Sequence, residues 1–99
     1  MIDGYLLNMR VFDKVNDDRH QALKPLEEAA EVFDAWQARH SMRFASRDAQ
    51  GAFRDDLIDG CMDTVRAIAN LLAAVGATQG EVDAAIKRMD ERDGNRGRL

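Results

Sequence analysis

Apolar residues recur at helical intervals along most of this 99-residue chain, and polar breaks between the runs divide it into four predicted helices. The first spans residues 4–15, capped by Asp3, with Leu6, Leu7, Met9, Val11 and Phe12 as its apolar positions. Asn16, Asp17 and Asp18 interrupt the pattern with side chains that favour turns and helix N-caps. The second helix opens at Arg19 or Gln21 and closes at His40. Leu23, Leu26, Ala30 and Phe33 form one row on it, and Ala22, Ala29, Val32 and Trp36 form another. Pro25 marks a late start or a kink, because proline lacks the N–H that an interior turn needs. Residues 41–51 have no clean period and read as a loop. Ser46 or Asp48 then caps a third helix running to Val75, with Phe53, Leu57, Cys61, Val65, Ile68 and Leu72 on one face and Gly76 as its stop. Thr78-Gln79-Gly80-Glu81 has the form of a capping box and opens the fourth helix, whose apolar positions are Val82, Ala85, Ile86 and Met89. Residues 93–99 leave that helix as a tail.

Composition agrees with an all-α domain. Hydrophobic residues make up 45% of the chain and charged residues 32%, with a single proline, so a disordered chain is excluded. β-Branched and aromatic residues are too few for a sheet. Residues 1–99 read as a single domain, one short enough that dimerisation would usefully enlarge its core. The net charge of −4, with bases gathered only between Lys87 and Arg98, argues against nucleic-acid binding. The one cysteine, Cys61, leaves neither an intrachain disulfide nor a cysteine-based zinc site. No leader pattern and no membrane-length apolar run stand out, so the expected address is the cytoplasm, with no membrane partner.

The chemistry lies in the acids. Glu28 and Glu31 fall on one flank of the second helix, about 60° apart at 100° per residue. Asp59 and Asp63 stand one turn apart on the third helix, in a stripe that Arg66 and Asn70 continue. Two helices joined by a short loop run antiparallel, which sets these carboxylates opposite each other. Carboxylates converging beside apolar residues repel unless they are protonated or bind cations, and an all-oxygen set suits Mg2+ or Mn2+. A solvated helix face is the plainer reading of the same residues.

Glu27-Glu28-Ala29-Ala30-Glu31, followed by Leu57-Ile58-Asp59-Gly60-Cys61-Met62-Asp63-Thr64-Val65, resembles the paired acidic motif of the MazG-like, all-α nucleoside triphosphate pyrophosphohydrolases. Lys24 ahead of the glutamates and a basic, asparagine-containing tail from Glu91 are similar to that family too. The resemblance implies a four-helix MazG-like bundle, helices two and three antiparallel, completed as a homodimer or homotetramer. It also implies Mg2+-dependent hydrolysis of a nucleotide to its monophosphate and pyrophosphate. Glu28, Glu31, Asp59 and Asp63 would hold the metal, and Glu27 would orient or deprotonate the attacking water. Lys24, Asn70, Lys87, Arg92 and Asn95 would contact the nucleotide, with residues 92–99 as a flexible or substrate-contacting tail. One position departs from the motif: Gly60 stands where the family carries the first acid of Glu-x-x-Asp, so either Asp59 or Asp56 substitutes for it or the site is crippled. The alternative is therefore an inactive relative that keeps the scaffold as a nucleotide- or partner-binding helical module.

Overall fold

The computed structural model describes residues 2–99. It contains three α-helices, α1 (Arg19–Ser41), α2 (Arg47–Ala74) and α3 (Gln79–Asn95). The all-α class holds, but the four-helix expectation does not: residues 4–15, expected to be helical, form an irregular extended segment. A helix of that length is marginal in water unless an apolar face packs. Here the Phe12 amide, which a helix would direct to the carbonyl of Asn8, instead donates to Asn70 Oδ1 at 2.9 Å.

The helix ends obey local chemistry. Asp18 caps α1 by accepting the Gln21 N–H at 2.8 Å, and Ser46 caps α2 by accepting from Ala49 at 3.2 Å. Pro25 lies inside α1, which runs unbroken from Arg19. The capping box of α3 forms in full: Thr78 Oγ1 accepts from Glu81 N–H and the Glu81 carboxylate accepts from Thr78 N–H. Those hydrogen bonds hold the Glu81 carboxyl below its ordinary range, the Thr78 backbone N–H contributing most. At the far end of α2, Gly76 takes φ +76°, and bonds from Gly76 N to Ala73 O and from Ala77 N to Leu72 O complete a Schellman stop. Gly97 ends α3 in the same way, at φ +75°. Helix therefore continues to Asn95, two residues beyond the predicted start of the tail.

Packing is confined to one pair of helices. Among the described residues α1 and α2 are the only helices that pack on each other; α3 packs on neither. The α1 residues partly covered against α2 are Gln21, Lys24, Pro25, Glu28, Val32 and Ala35. At about 100° per residue, this stripe lies about 170° from the row Leu23, Leu26, Ala30 and Phe33. The apolar row of α1 is thus turned to solvent, with Leu26 68% and Phe33 57% exposed. On α2 the inner half of the expected face, Phe53, Leu57 and Cys61, is half-buried, while Ile68 and Leu72 remain exposed. Among the described residues only Ala67 and Asn70 are buried. No described helix is long and apolar enough to cross a membrane.

Candidate functional site

The α1–α2 seam gathers the charged residues that the sequence singles out. Lys24 sits one turn before the paired glutamates, as i,i+3 and i,i+4 spacing requires. Its Nζ lies 3.5 Å from Glu27 Oε2 and 3.4 Å from Glu28 Oε1. Glu28 is the most covered of the three, its side chain 15% exposed against 43% for Lys24 and 56% for Glu27. Glu28 acts on Glu31 in turn: its charge and its hydrogen bond raise the Glu31 carboxyl above the ordinary range, and desolvation and Asp63 across the seam add to the effect. Glu28, and after it Glu27, raises the Lys24 ammonium above its ordinary range.

Glu28, Glu31 and Asp63 therefore share one electrostatic neighbourhood, without the Asp59 expected beside them. They do not form a metal centre. Among the described residues no group of three acidic, histidine or cysteine side chains is placed to hold a metal ion. The expected Mg2+ or Mn2+ site is corrected by this finding, and with it the metal-binding, hydrolase and pyrophosphohydrolase assignments, which have no catalytic metal cluster to work through. The reason is local. Lys24 already satisfies Glu28 with an ammonium group, whereas magnesium demands several oxygens at near-ideal octahedral positions. Asp59 is exposed and is not among the groups that act on Glu31. Gly60 sits in the middle of the helix contact, where a Cβ would meet Val32 Cγ2 at 3.6 Å. It contributes close approach of the helices and no ligand.

The remaining candidates divide between two regions. Asn70 is 3% exposed and belongs to the seam, where it anchors the extended segment through Phe12. Lys87, Arg92 and Asn95 lie on α3, which stands clear of the acids. Arg92 borders an open apolar trough of about 460 Å³ lined by Leu72, Val82, Ile86 and Met89. Two seam residues had no assigned role in the sequence reading. The Arg66 guanidinium lies 5.9 Å from the Phe12 ring, and both residues border a cavity of about 140 Å³ with Lys24, Glu28, Asp63 and Asn70. Arg66 was legible as a member of the acidic stripe. Phe12 was not, because its partner Asn70 lies 58 residues away.

On the outer face of α1 an aromatic ladder runs toward the helix end. Phe33 stacks on Trp36 at 6.1 Å between centroids, and Trp36 on His40 at 5.0 Å. Compared with protein-family models, curated proteins and solved structures, the chain matches none.

Proposed function

We propose that this chain is a non-catalytic helical binding module, an inactive relative of the MazG-like family, whose partner is a second copy of itself. The observation that carries this reading is the orientation of α1, which packs on α2 with a stripe that is half polar and leaves its Leu–Leu–Ala–Phe row uncovered. The 3–4 spacing of Leu23, Leu26, Ala30 and Phe33 is that of a helix–helix seam. The accessible surface is 8275 Å². A compact monomer of 11.1 kDa exposes about 5,700 Å² by the size scaling of folded proteins. The excess of roughly 2,600 Å² per copy, about 5,200 Å² for a pair, lies at the upper end of the total that obligate associations bury, and it is shared among the outer face of α1, the segment before α1 and the unpacked α3.

Sedimentation equilibrium of the full chain across a wide concentration range tests the proposal. Burying a leucine or phenylalanine completely contributes about 1.5–3 kcal/mol. Leu26 and Phe33 are 68% and 57% exposed, so each retains most of that gain for a partner. The double variant Leu26→Gln/Phe33→Gln removes four such side chains from a pair of copies, a loss of about 4 kcal/mol, or about a thousand-fold in dissociation constant. A wild-type chain that unfolds cooperatively yet stays monomeric at every concentration would defeat the proposal. So would a variant that associates as tightly as wild type.

A further inference from the structure

The segment before α1 reaches the α1–α2 seam, where Phe12 is hydrogen-bonded and Met9 and Val15 on either side are partly covered. Phe12 N–H donates to Asn70 Oδ1 at 2.9 Å, and the Phe12 ring lies 5.9 Å from the Arg66 guanidinium. Among the described residues Asn70 is one of the two that are buried, and the only polar one of them. Its carboxamide is spent on a main-chain N–H from a segment 58 residues away. Around this point lies the cavity of about 140 Å³ whose charged rim is Lys24, Glu28, Asp63 and Arg66. The segment does not seat closely. A second space of about 260 Å³ lies between Arg10, Val11, Phe12, Asp13 and Arg66, and Phe12 is still 58% exposed.

We infer that residues 10–13 are a displaceable strap, latched by Asn70, that occupies in cis a groove able to take an extended, aromatic-containing peptide. The chemistry of the contact is that of peptide recognition: an acceptor for one main-chain N–H and a guanidinium for one aromatic face. Neither requires that the segment belong to the same chain. What favours the resident strap is its tether, which gives it an effective concentration in the millimolar range for a short connection. The groove follows the seam between α1 and α2, whereas the proposed self-association uses the opposite face of α1. The two inferences therefore fail independently.

The probe is a fluorescently labelled synthetic peptide of residues 6–15, added to full-length protein and followed by anisotropy. Phe12→Pro removes both the donor and the ring of the resident strap, so this variant binds the peptide about ten-fold more tightly than wild type does. Methylating the phenylalanine amide nitrogen of the peptide deletes the donor and keeps the ring, which weakens binding to Phe12→Pro about 5-fold. Adding Asn70→Ala to Phe12→Pro produces the same loss, and Asn70→Asp, which keeps an acceptor oxygen, restores binding even if the alanine variant folds poorly. Equal binding by wild type and Phe12→Pro overturns the strap. Equal binding of the methylated peptide, or no binding by Phe12→Pro, overturns the groove.

Discussion

Replacing Gly60 with alanine should stabilise the protein, against the expectation that a glycine in a helix–helix contact is there because nothing else fits. Gly60 lies in the interior of α2 and takes no left-handed conformation. A glycine at such a position costs about 1 kcal/mol relative to alanine, because more backbone freedom is lost on folding. The opposing term is steric, and the structure shows it to be small. A Cβ at position 60 would meet Val32 Cγ2 at 3.6 Å and Val32 Cα at 3.9 Å, with no closer neighbour. Those are ordinary van der Waals separations that add dispersion attraction instead of strain. The Thr64 hydroxyl that donates to the Gly60 carbonyl at 2.9 Å loses nothing, since the carbonyl is unchanged. The net expectation is a gain of about 1 kcal/mol, which for a domain of this length raises Tm by about 4–8 °C. Urea titration followed by circular dichroism measures it: the midpoint should rise while the slope stays fixed, because the surface exposed on unfolding hardly changes. A lower midpoint would show that α1 and α2 approach more closely than 3.6 Å at Val32, and the account of Gly60 as a tolerant packing position would be wrong. Gly60→Val is the contrasting variant. Its branched side chain meets the same Val32 and overpacks the seam, at a cost of about 1–3 kcal/mol.

Other outcomes follow from the same geometry. Glu31→Gln should raise Tm at neutral pH. Its ionised form is penalised in the fold, chiefly by Glu28, so the penalty is fully present above the raised folded value. It fades as pH falls through that value toward the unfolded 4.5, and wild type and variant should therefore converge in acid; a difference that grows in acid would contradict the assignment. Thr78→Ala breaks the capping box and should cost α3 about 1 kcal/mol, read as faster amide exchange at Glu81 and Val82, with no change expected in α1. Magnesium or manganese should leave the melting temperature of the full chain unmoved, since only a site specific to the native state raises it. A concentration-dependent rise would reinstate a cation site.

Local chemistry was largely legible in the sequence. Asp18, Ser46 and Thr78 cap the helices that their side chains announce, and Gly76 stops α2 with the positive φ that a glycine permits. Each of those signals acts within a few residues of its effect. The segment around Phe12 could not be read this way, because its competitor for the helical amide lies far along the chain at Asn70. Periodicity located the rows of α1 correctly but could not say which row meets α2. Burial of apolar surface favours the Leu23–Phe33 row as the inner face, whereas the pairing of Glu28 and Glu31 with the acids of the next helix favours the opposite flank. The structure puts Lys24, Glu28 and Val32 there instead. The acidic seam was half legible for a related reason: antiparallel geometry brings Glu28, Glu31 and Asp63 together, but the ammonium of Lys24 changes what they can do.

The isolation of α3 carries a dynamic consequence. A helix of 17 residues is close to the length at which helix in water is only marginal without tertiary support. Its two end motifs are then most of what keeps it wound, and the chain carries a lever whose opening is uncoupled from the paired helices beside it. Order in this segment can therefore be gained or lost without disturbing the α1–α2 pair.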